Sequence, residues 1–213
     1  MLNLRLNNPR RILCFGAHSD DIEIGAGGTL LRLLQENPGI HVDWVVFSAS
    51  SERKEEARRS AELFLKDAGS SNVVIQNFRD SYFPYQGAEI KAFIESLRVE
   101  AAPDVIFTHR REDAHQDHRT LAELSWCAFR NHLILEYEIP KYEGDLGHPN
   151  LYVPLSREIK ERKIDVLHEA FVTQREKPWF TRDTFAAILR LRGVECHAAE
   201  HFAEAFYCRK AIL

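Results

Sequence analysis

The sequence predicts an α/β protein with a mostly parallel central sheet and helices on both faces. Two observations predict this fold class. Short apolar runs typical of buried strands alternate with charged segments of helical period, and turn residues such as Asn37-Pro38-Gly39 and Gly69 separate them. That alternation is typical of parallel strands joined by crossover helices. No repeat or low-complexity linker divides the chain, so residues 1–213 are expected to form one domain.

The predicted elements are taken in chain order. Apolar runs predict strands at 11–17, 41–48, 72–76 and 104–109. Amphipathic periodicity predicts helices at 27–36, 51–67, 87–100, 117–131, 156–169 and 181–192. The segment 202–210 is predicted as the last strand. Region 134–155 is rich in proline and glycine, and we expect strand pieces there and a long loop over the site.

Composition excludes several classes of protein. The chain has 28 Lys and Arg against 32 Asp and Glu, a net charge of -4, which argues against a nucleic-acid partner. No apolar run approaches the ~20 residues of a membrane span, and the N-terminus lacks the apolar core of a signal peptide. The four cysteines form no CxxC pair and are expected to be reduced thiols. We therefore expect a cytoplasmic protein without an integral membrane segment.

Two segments rich in histidine and aspartate follow predicted strands. Residues 17–23 read AHSDDIE, and residues 109–119 read HRREDAHQDHR. Ligand sites of parallel α/β sheets lie in the loops that leave the carboxyl ends of the strands. Six side chains are therefore expected to converge at that edge: His18, Asp20, Asp21, His115, Asp117 and His118.

Imidazole and carboxylate ligands together suit a borderline cation such as zinc. Two histidines and one carboxylate are a common catalytic set, and His18, Asp21 and His118 supply it. We expect one zinc ion per chain, although iron or cobalt fits the same ligands. Asp20 is then free to act as a general base on metal-bound water. In the segment 109–119, His115 and Asp117 remain as a second pair. We expect the Asp117 carboxylate to orient the His115 imidazole and to hold it charged.

A hydrolytic metal site is one interpretation of these residues, and non-catalytic interpretations compete with it. The pair Asp20-Asp21 after the first strand is also typical of the acidic, phosphate-accepting pocket of receiver domains. That pocket expects a lysine after the fifth strand, where Lys141 is a weak candidate, and it gives the histidines no role. A structural metal site is typically closed and often cysteine-rich, unlike this set. The glycines at 25–28 do not complete a dinucleotide fingerprint, because Leu30 occupies the third glycine position.

Three stretches carry a resemblance to a known family. The segment AHSDDIEIGAGGTL resembles the AHPDDxExGxGGTL motif of the LmbE-like/PIG-L family of zinc-dependent N-deacetylases. HQDHR resembles that family's HPDHR motif, and FAEAF at 202–206 resembles its closing strand. The resemblance implies a Rossmann-like fold. It also implies a hydrolase that removes the N-acetyl group of an N-acetylglucosamine-type sugar or sugar conjugate and releases acetate.

The resemblance also implies residue roles. It makes His18, Asp21 and His118 the zinc ligands and Asp20 the base. It makes His115, oriented by Asp117, the group that stabilises the oxyanion or protonates the leaving amine. Two further positions resemble substrate contacts of the family, Arg53 in SASSERKEEARRS and Asp80 in FRDSYF.

Departures from the family motifs concern the surroundings of the site. Ser19 replaces the usual proline of the first motif and Ala26 a frequent cysteine, and Arg110 and Gln116 replace prolines of the second. None of these changes removes a predicted ligand or the base. Arg110 and Arg111 at the mouth indicate a substrate that carries phosphate or a nucleotide. The expected partner is thus a small N-acetylated sugar or sugar conjugate, free or nucleotide-linked, and the sequence leaves a homo-oligomer open.

Overall fold

The structure is a computed structural model that describes residues 4–100 and 102–212. Its strands are β1 (Arg11–Gly16), β2 (His41–Val46), β3 (Ser70–Ile75), β4 (Val105–His109), β5 (Leu133–Tyr137), β6 (Leu151–Leu155) and β7 (Phe202–Cys208). Its helices are α1 (Asp21–Glu36), α2 (Ser51–Phe64), α3 (Gly87–Glu100), α4 (Gln116–Ala128), α5 (Arg157–Ala170) and α6 (Arg182–Glu195). Across these two stretches, no helix combines the length and apolarity that a membrane crossing requires.

One seven-stranded sheet organises the molecule, in the order β3-β2-β1-β4-β5-β7-β6. Strands β1 to β5 pair in parallel, whereas β7 runs antiparallel to both β5 and β6. The expected α/β architecture with a mostly parallel sheet is confirmed. Between β6 and β7 the chain passes through two helices, α5 and α6, rather than one. It therefore enters β7 in the direction opposite to β6, unlike a βαβ unit, in which one crossover helix joins parallel strands.

Alternate residues of the central strands point into two separate cores. In β1, Ile12 and Cys14 belong to one apolar cluster, and Leu13 and Phe15 belong to the other. Helices α1, α2, α5 and α6 cover the first face, and α3 and α4 cover the second. Because both faces are covered, the strands read as continuous apolar runs, which is how the sequence revealed them.

Helix α1 differs from its prediction, because it begins at Asp21 rather than at residue 27. The cause is its glycines, which lie within the helix. A Cβ atom on Gly25 would be 2.1 Å from the ring of Tyr137, and one on Gly28 would be 2.5 Å from Leu155 Cδ1. The glycines therefore allow α1 to pack directly on the sheet. The region 134–155 contains β5 and β6 joined by a loop, as expected.

A buried ion pair makes hydrogen bonds to the backbone in the middle of α1. Glu204, in β7, accepts the amides of Gly28 and Thr29 at 2.7 and 2.6 Å. Lys163, in α5, donates to Glu204 Oε1 and to the carbonyl oxygen of Ile24, each at 2.6 Å. The pair therefore joins α5, β7 and the middle of α1.

Candidate active site

The two polar motifs meet because β1 and β4 are adjacent in the sheet. The chain continues from β1 to β2 on one side, whereas β4 and β5 lie on the other, so the strand order reverses between β1 and β4. Crevices at such switch points, outside the carboxyl ends of the strands, are the usual ligand sites of open α/β sheets. Residues 17–21 leave β1 at this point and residues 110–118 leave β4.

Three potential metal-ligating atoms face one another in the crevice. His18 Nδ1 lies 3.2 Å from His118 Nε2 and 3.4 Å from Asp21 Oδ2, and the last two atoms are 3.5 Å apart. Zinc bonds of 2.0–2.1 Å in a tetrahedron place the ligand atoms about 3.3 Å apart. The three atoms therefore have the spacing of one face of a zinc tetrahedron, and the predicted ligands His18, Asp21 and His118 fit the ion.

Carboxylates hold the outer nitrogen of both imidazoles. His18 Nε2 lies 3.2 Å from Asp80 Oδ1 and 3.3 Å from Asp117 Oδ2. His118 Nδ1 lies 3.1 Å from Asp113 Oδ2. Carboxylate–histidine pairs of this kind are typical of metal sites, where they orient the ring and select its tautomer. The arrangement directs the inner nitrogens, His18 Nδ1 and His118 Nε2, toward the shared position.

The surroundings of this position favour a positive charge. Burial alone would lower the pKa of His18, but the carboxylates of Asp117, Asp21 and Asp80 outweigh it and raise that pKa well above its ordinary value. Burial and the neighbouring His109 lower the pKa of His118 against the opposing effect of Asp21. Its lone pair is thus available at neutral pH. A proton or a metal ion can supply the positive charge, and a metal ion would displace the proton.

Asp20, the predicted base, lies at the entrance to α1 and does not cap it. Asp20 occupies the N-cap position of α1, yet its side chain makes no capping hydrogen bond. Arg53 Nη2 donates instead to Asp20 Oδ1 at 2.7 Å. Arg53, expected to contact substrate, therefore lies beside the predicted base. Its Nε is buried and lacks a hydrogen-bond partner within residues 4–100 and 102–212.

The pair of His115 and Asp117 is arranged differently from the expectation. His115 is the N-cap of α4, and its Nδ1 accepts the backbone amide of Asp117 at 3.3 Å. The Asp117 carboxylate accepts the amides of Ser81 and Phe83 instead. Burial and the charges of His118 and His18 lower the pKa of His115, and the opposing effect of Asp117 is smaller. The structure does not support the expectation that Asp117 holds His115 charged, because the Asp117 carboxylate binds the amides of Ser81 and Phe83 rather than the His115 ring.

Two residues of the site were not singled out from the sequence. His109 ends β4, is fully buried and stacks on His118 with ring centroids 3.9 Å apart. Its Nε2 lies 3.2 Å from Asp21 Oδ2. Asp113 is the carboxylate that supports His118. Both lie within the HRREDAHQDHR segment, so their place in the motif was the signal that could have identified them.

The remaining charged candidates are engaged elsewhere. Lys141 Nζ contacts Asp113 Oδ2 at 3.0 Å and Asp145 at 2.6 Å, so its bonds do not complete an acidic receiver pocket. The Arg110 guanidinium packs over the ring of Tyr207 and donates to the carbonyl oxygen of Asp145. These contacts bind the loop between β5 and β6 to the edge of the site, and they leave the receiver-like alternative unsupported.

Comparisons with known proteins agree with this geometry. The chain is 33% identical over 147 residues to the Escherichia coli (strain K12) protein named Uncharacterized deacetylase YaiS, covering 63% of this chain and 76% of that protein. The N,N'-diacetylchitobiose deacetylase of Pyrococcus horikoshii has the same fold, with a TM-score of 0.71 and 21% identity over 93% of this chain and 83% of that one. So does the 4-carboxy-2-hydroxymuconate hydratase GalB of Pseudomonas putida KT2440, with a TM-score of 0.72 and 15% identity over 96% and 98% of the two chains.

The structural likenesses concern the fold, and the hydratase demonstrates that this fold serves more than one reaction. The family is decided by the sequence match. Residues 13–129, which carry both polar motifs and the sheet edge between them, match the family described as PIG-L: GlcNAc-PI de-N-acetylase. This protein belongs to the PIG-L (LmbE-like) family of deacetylases.

Proposed function

We propose that this protein is a zinc-dependent N-deacetylase that hydrolyses the acetamido group of an N-acetylglucosamine-type sugar or sugar conjugate. One observation carries the proposal. The inner atoms of His18, Asp21 and His118 are 3.2 to 3.5 Å apart, the spacing of three ligands on one zinc ion. Such a three-ligand set leaves a coordination position for the reaction, as catalytic zinc sites do.

His18, Asp21 and His118 would hold the ion, and Asp117 and Asp113 would orient the two imidazoles. When bound, zinc would polarise the acetyl carbonyl and lower the pKa of water to about 7. The same ligands fit iron or cobalt, so the identity of the ion is part of the proposal. Because the ligands are drawn from both motifs, metal binding would also link the loops that follow β1 and β4.

Asp20 would accept the proton of the attacking water. The oxygen of that water forms a bond to the acetyl carbon, and the carbon–nitrogen bond breaks. Arg53 fixes one oxygen of the Asp20 carboxylate by the 2.7 Å hydrogen bond, so the carboxylate is held in one orientation. The proton then passes to the departing amine, which gives acetate and the free amino sugar.

His115 would assist as a neutral hydrogen-bond donor. Its Nδ1 accepts the Asp117 amide, which places the ring proton on Nε2. Its ring centroid lies 5.0 Å from that of His18 and 4.6 Å from that of His118, so the ring borders the proposed metal position. From there Nε2–H can donate to the acetyl oxygen as negative charge develops on it.

Substrate hydroxyls would be bound by Asp80 and Arg53. The Asp80 side chain is exposed and lies beside His18, so a carboxylate oxygen can accept a hydroxyl of a sugar placed over the site. The Arg53 side chain is 20% exposed, so its guanidinium can donate to a second oxygen. A nucleotide-linked sugar remains within the proposal, with the exposed Arg111 as its candidate contact.

The test is acetate release by the purified, zinc-loaded protein. The substrates are N-acetylglucosamine, N,N'-diacetylchitobiose and UDP-N-acetylglucosamine. Asp20→Asn should abolish most turnover, whereas the matched change Asp183→Asn, on the exposed surface of α6, should leave it unchanged. If no substrate yields acetate above the Asp20→Asn background, the proposal fails. The protein would then be tested for hydration of an unsaturated carboxylate, measured as a loss of the substrate's ultraviolet absorbance. Activity in that assay would favour the reaction of the structurally similar hydratase GalB.

A further inference from the structure

A short loop, residues 79–86, forms one side of the site, and we call it the aromatic loop. Its backbone is bound to the site at two points. The amides of Ser81 and Phe83 donate to the two carboxylate oxygens of Asp117, at 2.6 and 3.1 Å. A hydrogen bond joins the two ends of the loop, because the backbone amide of Arg79 donates to Gln86 Oε1 at 2.7 Å. It is therefore a fixed wall of the crevice.

The aromatic loop points one ring inward and two rings outward. Phe83 is fully buried in the core beneath the loop, whereas 40% of Tyr82 and 80% of Tyr85 are exposed. A single 3-10 turn, Phe83–Tyr85, follows Tyr82, and residues three apart in such a turn lie on one side. The two tyrosine rings accordingly lie together, with their centroids 6.0 Å apart.

Tyr82 packs against Arg79 and Tyr85, and neither tyrosine belongs to the apolar clusters of the described residues. Single exposed apolar residues are ordinary, but neighbouring aromatic rings beside a cleft are typical of ligand contacts. Exposure rises from Phe83 through Tyr82 to Tyr85, so Tyr85 is the most exposed ring of the loop. A small substrate whose acetamido group reaches the metal ligands would fill the crevice beside Asp80, and the outer tyrosine would extend beyond it.

We propose that Tyr82 and Tyr85 form a platform for a second pyranose ring, linked to the N-acetylated sugar that reacts. The proposal rests on the proposed deacetylase function and specifies its substrate as an oligosaccharide or glycoconjugate. A pyranose presents a C–H face with hydroxyls at its rim, which matches a tyrosine's apolar ring and polar hydroxyl. The Arg79 guanidinium lies 3.5 Å from the centroid of the Tyr82 ring. It covers one face of that ring and brings hydrogen-bond donors for the sugar hydroxyls.

The experiment compares N-acetylglucosamine with N,N'-diacetylchitobiose on the zinc-loaded protein. Tyr82→Ala and Tyr85→Ala should raise KM for the disaccharide several-fold, up to about tenfold, the upper range for an aromatic contact. The KM for the monosaccharide and both kcat values should change by less than about twofold. Tyr82→Phe and Tyr85→Phe are the matched controls, and they should retain the disaccharide KM because the ring is kept.

Other outcomes overturn the platform. Alanine variants with normal KM values, or with equal increases for both sugars, would show that the tyrosines do not bind a second ring. Failure of the deacetylase itself is recognised separately, by calorimetry of N,N'-diacetylchitobiose binding to the Asp20→Asn protein, which needs no turnover. Binding that weakens when Tyr85→Ala is added supports the platform even if no acetate is released, and unchanged binding refutes it.

Discussion

The buried pair of Lys163 and Glu204 should contribute strongly to the stability of the fold. Only 1% of Lys163 and 3% of Glu204 is exposed. Glu204→Leu would leave the ammonium group of Lys163 without its carboxylate and would remove an acceptor of the amides of Gly28 and Thr29. Breaking a buried pair by removing one partner costs about 3–5 kcal/mol. We therefore expect a loss of about 4 kcal/mol in the free energy of unfolding.

For a chain of this length, 1 kcal/mol shifts the melting temperature by about 2–4 °C, so Glu204→Leu should lower Tm by about 8–16 °C. Thermal and urea unfolding followed by circular dichroism measure both quantities. Glu62→Leu, an exposed position in α2, is the matched control and should change stability by no more than about 0.5 kcal/mol.

The double variant Lys163→Met/Glu204→Leu separates the ion pair from the packing. Replacing a whole buried pair by apolar residues is often neutral. The double variant should therefore be more stable than Glu204→Leu alone. The reasoning is refuted if Glu204→Leu costs less than about 1 kcal/mol, or if the second change adds a further loss.

Four further predictions concern the site and an acidic residue of strand β2. His118→Ala should lose its metal in elemental analysis, and full metal content would exclude it as a ligand. Asp113→Asn should weaken zinc binding about 10–100-fold in a chelator titration while its fold is kept, and an unchanged affinity would deny it the supporting role. Asp20→Asn should keep the metal but lose about 10²–10⁴-fold in turnover, and loss of metal instead would make it a ligand. Burial raises the pKa of Asp43, but hydrogen bonds from Arg11 and His41 outweigh it and lower that pKa, so its ionised form is favoured in the folded state. The stability lost in Asp43→Asn should be constant above about pH 4 and should shrink as the pH falls further, in urea unfolding at several pH values, whereas a pH-independent difference would contradict the assignment.

The general architecture could be predicted because it depends on local pattern. Each parallel strand is covered on both faces, so its apolar run is continuous, and each helix shows its own period. The exception was α1, whose start was placed six residues late. Glycines usually interrupt helices, and only contact with Tyr137 and Leu155 explains why Gly25 and Gly28 are needed inside this one.

The sequence by itself determined which residues would meet, since both motifs follow parallel strands whose carboxyl ends share one edge of a sheet. It could not determine how they meet. That β1 pairs with β4 is a hydrogen-bonding choice between strands far apart in the chain, and so is the position of His109 against Asp21. Likewise, Asp117 binds the aromatic loop rather than His115 because the loop's free amides lie within reach of its carboxylate once α3 and α4 pack on the sheet. Burial and hydrogen-bond partners are properties of the packed chain, and only the tertiary structure decides them.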